Sequence, residues 1–262
     1  MAKISLIFLV LLVFGCNTKR EKEIVVTEVE NTISKTITEE IAGELLLDSL
    51  KLNINFKPKG NYNSITHKIK TDRSYFKSAH QVNSTKAIDS ASKYLYSKLI
   101  NDIVPHWYET PWDFNGHTNS PKNGEIACGY FVSTTLKHLG FNLNRYKMAQ
   151  AAGLNEAKLL QTRANLKIFS NVTFEQLKDK VNKAYSNGIY FVGLDNHVGY
   201  VLIKNKELYF LHSSYCDDKV VIELAENAPC FSSNLYVFAE ITTNKKLVKS
   251  WVFSERLSIP SN

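Results

Sequence analysis

The chain has 262 residues, of which 44% are hydrophobic and 22% charged, with a formal net charge of +7. An apolar share of this size supplies a full core, and the length suits one domain with a tail or with insertions. The positive charge is spread along the chain without a basic block, so it gives only a weak bias toward anionic surroundings, and no nucleic-acid motif accompanies it.

Met1 to Lys3 is a short basic start, and residues 4–14 are an apolar run too short to span a bilayer as a mature helix. The run ends at Val13-Phe-Gly-Cys16, which resembles the lipobox of bacterial lipoproteins. That resemblance implies a signal peptide over residues 1–16, cleavage before Cys16, and lipid attached to its sulfur. Several acyl chains hold a protein at a membrane surface, which a single chain does not. The mature chain is therefore expected in the cell envelope, at the outer membrane or the periplasmic face. Residues 17–33 are charged and Thr-rich and read as a tether. Thr36-x-x-Glu39 reads as a capping box before Ile37, Ile41, Leu45 and Leu46. Residues 53–81 are polar, rich in Asn, Lys and Ser, and are expected to be loops with one short strand. Residues 17–80 are thus taken as a tether and irregular N-terminal extension, and 81–262 as the folded domain.

Order begins at Ser84, taken as an N-cap, with Ala87, Ala91, Tyr94, Leu95, Leu99 and Ile103 at helical spacing until Pro105 stops them. An aromatic loop follows, with Trp107, Tyr108, Trp112 and Asp113 ahead of Gly116. A turn region over residues 119–124 then feeds a helix starting at Cys128. On that helix Cys128, Phe131, Val132, Leu136 and Leu139 share one face, and Gly140 is the C′ residue. A cysteine on an apolar helix face is often packing. This one stands at the helix start after a polar turn, where the helix dipole favours the thiolate. Helices are expected over 154–168 and 174–185, the second opened by a Thr173-x-x-Gln176 capping box. Strands then follow over 189–192, 197–203, 208–212, 220–224 and 235–241. Helices first and antiparallel strands after make an α+β plan, with the helices packed on a meandering sheet.

The strand pair around Asn205-Lys206 contains a geometric test. If its turn is tight and even, Lys204 faces Glu207, Gly199 faces His212 and His197 faces Ser214, so His197, Gly199, His212 and Ser214 share one side. His212 is then the diagonal neighbour of His197. Cys128 as nucleophile, His197 as base and His212 as its orienter would make a catalytic triad. Ser213, Ser214 and Asn196 are the competing orienters, and a one-residue bulge would present Ser213 instead. Tyr108, Trp112 and Asp113 are candidate substrate-binding residues. Cys216 and Cys230 either pair across a short loop or stay as two buried thiols. No Cys-x-x-Cys or close histidine pair suggests zinc, and no cofactor is expected.

At these residues the chain resembles the NlpC-type cysteine peptidases, papain-like endopeptidases of bacterial cell walls. The segment from Tyr108 through Trp112 to Gly116 loosely matches the family's aromatic motif. Cys128-Gly129 with Phe131-Val132 matches its nucleophile helix, His197-Val-Gly-Tyr-Val201 its histidine strand, and His212 its third polar position. The resemblance covers residues 84–215. It implies a papain-like α+β fold, amide hydrolysis in peptidoglycan peptides, and an oxyanion hole that uses the Cys128 N–H. The chain departs from the family in having Ala127 and Gly129 beside the nucleophile, and in a longer connection from the cysteine helix to the histidine strand. A non-catalytic binding module of the same shape, and an acyltransferase with Asp217 or Asp218 as orienter, are the alternatives.

Overall fold

The computed structural model describes Leu52 and residues 54–258. The leader, Cys16, the tether and the expected helix after Thr36 lie outside the described residues. Among the described residues no helix is long and apolar enough to cross a membrane.

The first helix corrects the sequence reading. Tyr62–Val82 (α1) is a helix of 21 residues where loops were expected. The Asn61 side chain caps it by accepting from the Ser64 N–H, yet along its whole length only Ile69 and Phe76 are buried. Two apolar contacts seven residues apart hold one edge of an otherwise polar helix, a pattern too sparse to stand out as a stripe. The compact unit therefore begins at Ile54 and not at 81. Ser84–Ser97 (α2) follows at once, and its cap is Asn83, which accepts from the Lys86 N–H, one residue earlier than Ser84.

Pro105 does not stop the next segment. A π-helical turn, Lys98–Ile103, sends the Val104 N–H back to Leu99 O. A short helix, Val104–Trp107 (α3), then restarts with Pro105 in its first turn, where no intrahelical N–H is needed. The chain next forms Cys128–His138 (α4), Arg145–Ala149 (α5) and Gly153–Leu160 (α6). The helix expected over 154–168 is shorter. It ends at Leu160, and Lys167–Ser170 is an edge strand, β1, paired with the last strand of the sheet. Phe174–Ala184 (α7) carries the capping box on Thr173 and Gln176 as expected.

The remaining strands are Gly188–Gly193 (β2), Val198–Lys204 (β3), Glu207–Ser214 (β4), Lys219–Leu224 (β5) and Leu235–Glu240 (β6), followed by Lys245–Val252 (α8). They form one antiparallel sheet in the order β1-β6-β2-β3-β4-β5, so the fold is α+β. The run from β2 to β5 is the expected meander, and β6 slots between β1 and β2. Both faces of the sheet are covered, which is why the middle strands read as continuous apolar runs. On one face Leu177 and Val181 of α7 and Phe231 pack on Tyr190, Val201, Phe210 and Phe238. On the other, Phe131, Val132 and Leu136 of α4 are fully buried, and the Tyr200 hydroxyl of β3 donates to Val132 O. Each of those apolar side chains contributes about 1.5–3 kcal/mol by leaving water. Together they fix the long axis of α4, and so the position of its first residue.

Candidate active site

The start of α4 is held from several directions. Ala127 is extended, its N–H donates to Gly116 O, and the Phe131 N–H closes the first helical turn on Ala127 O. The Ser213 hydroxyl of β4 donates to Ile126 O at 2.6 Å. Arg145, 3% exposed, reaches back from α5 and donates to the carbonyls of His117 and Thr118, to Asn119 Oδ1 and to Thr134 Oγ1. A buried guanidinium thereby pins the loop before Cys128 to the helix after it. Sequence reasoning missed Arg145, because an isolated arginine in a polar segment carries no signal of burial.

The imidazole side of the site is built by the β3–β4 hairpin. Asn205 and Lys206 both have positive φ (53° and 68°), as a two-residue type I′ turn requires. Lys204 pairs with Glu207 and Tyr200 with Leu211, an even register that puts Gly199 opposite His212. His197 Nε2 then lies 2.8 Å from His212 Nδ1. The contact needs glycine at 199. A Cβ there would stand 2.6 Å from Phe210 Cε2 and 2.9 Å from His212 Cβ. His212 lies flat on Phe210, ring centroids 3.9 Å apart.

A fourth residue completes the chain of contacts. Glu223 of β5 places Oε1 3.0 Å from His212 Nε2. While Glu223 is ionised it only accepts, so His212 must carry its proton on Nε2. That leaves Nδ1 of His212 to accept from His197 Nε2–H, and puts the lone pair of His197 on its own Nδ1. This Nδ1 is buried and has no hydrogen-bond partner among the described residues. An ionised Glu223 thus sets one tautomer in both rings. Glu223 was not foreseen, since its place depends on the register of a third strand. The only sign in the sequence is a carboxylate inside the apolar run of β5. Two of the three rival orienters are occupied elsewhere: Ser213 with Ile126 O, and Ser214 with Asp217 Oδ2 at 2.7 Å. Asp217 therefore serves Ser214, and the carbonyl of Asp218 accepts from the Trp112 N–H. Neither takes the orienting position.

Cys128 and His197 line the same cleft, about 710 Å³ in volume, together with Trp112, Tyr130 and Tyr215. The Val198 N–H, one residue beyond His197, hydrogen-bonds the Cys128 sulfur, so the two residues meet where β3 begins. No hydrogen bond joins the sulfur to Nδ1 of His197 in this structure. Of the expected substrate contacts, Trp112 lines the cleft and faces Tyr215, ring centroids 6.2 Å apart. Tyr108 and Asp113 do not line it. Tyr108 packs on Phe56 at 4.5 Å, and Asp113 folds onto the Asn115 N–H to close its own turn. Tyr130, Tyr215 and Asn196 take their places.

Electrostatics corrects one expectation. Burial pushes the Cys128 thiol above its ordinary value, against the lowering effect of the Val198, Gly129 and Cys128 N–H groups, and the Glu156 carboxyl adds to the rise. Desolvation therefore outweighs the backbone N–H groups that would favour the thiolate. Burial also drives both imidazoles well below the usual histidine range, His197 further through its neighbour His212. Burial thus favours the neutral form of both the thiol and the imidazole. Glu223 is pushed up to about 7, by burial first and by Asp217 second.

Cys216 and Cys230 are joined in a disulfide, and Cys128 is the free cysteine among the described residues. The disulfide fastens the β4–β5 turn, which carries Tyr215 5.1 Å from the His197 ring. His212, Asp217 and Glu223 place one potential ligand atom each within 4.8 Å of one another. His212 and Glu223 are already joined to each other by a hydrogen bond. No protein family, curated protein or solved structure matches this chain.

Proposed function

We propose that this chain is a lipid-anchored cysteine hydrolase of the cell envelope, papain-like in the manner of the NlpC-type peptidases, that cleaves amide bonds in cell-wall peptides. One observation carries the reading: Cys128 and His197 line one cleft while Nδ1 of His197 is buried without a partner and its Nε2 is tied to His212. An unpaired buried nitrogen is costly, and such a cost is kept where the nitrogen has work to do. The anchor rests on the resemblance of Val13 to Cys16 to a lipobox.

In this mechanism the Cys128 sulfur attacks the substrate carbonyl as its proton passes to His197 Nδ1. Because the thiol starts neutral, proton transfer accompanies attack instead of preceding it. The imidazolium that forms is balanced by Glu223 through the intervening His212, which extends the expected triad to four residues. The tetrahedral oxyanion takes the N–H of Cys128, which at the helix start has no intrahelical acceptor. His197 then returns its proton to the leaving amine, the amide C–N bond breaks, and water hydrolyses the thioester by the reverse sequence. Purified chain incubated with defined muropeptides should release cleaved products, and Cys128→Ala should abolish release while leaving the fold intact. Undiminished turnover by that variant removes the nucleophile from the scheme.

A second reading, a non-catalytic binding module, is favoured by the raised thiol and by the missing sulfur–imidazole bond. It expects Cys128 to resist thiol-directed electrophiles at neutral pH, whatever their charge.

A further inference from the structure

Beside the nucleophile, a smaller recess of about 250 Å³ opens behind Cys128 and His197. Its wall includes Glu156 of α6, which is 1% exposed and whose Oε2 has no hydrogen-bond partner among the described residues. A carboxyl oxygen without a partner in the interior is among the costliest features a fold keeps. Its position is not an accident of loose packing. α6 is seated by backbone contact, since a Cβ added to Gly193 of β2 would stand 3.0 Å from the Gly153 Cα at the head of that helix. The backbone of α6 is therefore held close to β2 at its first residue.

The recess has a consistent sign. Asp195 also lines it, and hydrogen bonds from the Asn234 N–H and from Ser233 hold that carboxyl below its usual range, so it stays ionised. Among the described residues lining the recess there is no lysine or arginine. Burial alone drives the Glu156 carboxyl toward the neutral form. A cation placed beside it reverses that preference and supplies the missing hydrogen-bond donors. The remaining wall is mostly uncharged, with the small residues Ala151, Ala152 and Gly153 beside Leu194 and Val198.

We infer that this recess is a subsite for a primary amino group of the substrate, with Glu156 as its counter-charge and Asp195 at its rim. The residues belong to the long connection between the cysteine helix and the histidine strand, so the preference would be particular to this chain. Calling the bound amine part of a substrate rests on Cys128 being the nucleophile; the cation preference of the recess itself does not.

The test uses two alkylating reagents of matched size, 2-bromoethylammonium and 2-bromoethanol, on the full chain. Each forms a carbon–sulfur bond at Cys128 and expels bromide, and the rate is read at the Cys128 peptide by mass. Rates are divided by those of the same cysteine in the denatured chain. The wild-type chain should favour the cationic reagent by about tenfold, the scale of one charge-assisted contact. Glu156→Gln should bring that ratio close to one; because the Glu156 carboxyl also raises the Cys128 thiol, the variant shifts both rates together, and that common shift cancels in the ratio. A ratio that survives in Glu156→Gln, or that is absent from the wild type, overturns the inference. If Cys128 reacts with neither reagent, the hydrolase reading falls, and the recess is then judged by binding. Propylammonium should raise the melting temperature of Cys128→Ala but not of Cys128→Ala with Glu156→Gln, and equal shifts overturn it.

Discussion

Replacing Glu223 by Gln should make the protein more stable at alkaline pH and nearly unchanged in acid. In the folded chain the carboxyl is moved from its ordinary 4.5 to about 7. A folded value above the unfolded one means that folding favours the protonated form. Its benefit is full below pH 4.5, is lost as pH rises from 4.5 to about 7, and is a constant deficit beyond. With the side chain 24% exposed, holding the carboxylate ionised costs about 2–3 kcal/mol. That is about 5–10 °C of melting temperature in a domain of this size. The glutamine amide oxygen still accepts from His212 Nε2, so the hydrogen bond survives while the charge does not. Melting curves of both proteins at pH 4.5 and pH 8.5 should therefore nearly coincide in acid and separate in base, with Glu223→Gln the more stable. A difference of equal size at both pH values would refute the reasoning, because it would show that Glu223 does not titrate between them. The same variant should lose turnover at pH 8.5, since no carboxylate remains to balance the His197 imidazolium.

Gly199→Ala sets a Cβ 2.6 Å from the Phe210 ring, and overpacking of this kind costs about 1–3 kcal/mol. A urea midpoint equal to wild type would contradict that contact. Replacing both Cys216 and Cys230 by Ala opens a loop of sequence separation 14 and should cost about 3 kcal/mol, read by thermal melting. The ring nitrogens of His197 and His212 should keep the ¹⁵N shifts of neutral imidazole down to pH 5, because burial holds both well below the usual histidine range. Titration of either ring near pH 6.5 would show that burial does not govern them.

The hairpin was the most legible part of the site. Strand alternation and a two-residue turn decide which side chains share a face, so His197, Gly199 and His212 could be brought together from spacing alone. Glu223 could not, because its meeting with His212 adds the register of β4 against β5, which no turn of fixed length dictates. Glu156 escaped for another reason. In sequence it is a charged residue on a short helix, and only burial turns it into a feature. Cys128 was placed rightly at the head of α4, but its protonation was judged from the dipole, which the sequence displays, and not from desolvation, which it hides. α1 was missed because two buried residues leave no stripe. Residues 161–168 were given to a helix because apolar spacing alone does not separate a short helix followed by an edge strand from one longer helix.

The resting state of Cys128 bears on how this protein survives its surroundings. A chain that carries both a disulfide and a free sulfhydryl risks scrambling, since the anion of one cysteine can invade the bond between two others. Peroxides likewise consume the deprotonated species and spare the protonated one. Burial that favours the thiol, with the Val198 N–H on the sulfur, works against both reactions at Cys128. The same burial that disfavours the anion thus guards a free cysteine in a chain that also carries the Cys216–Cys230 bridge.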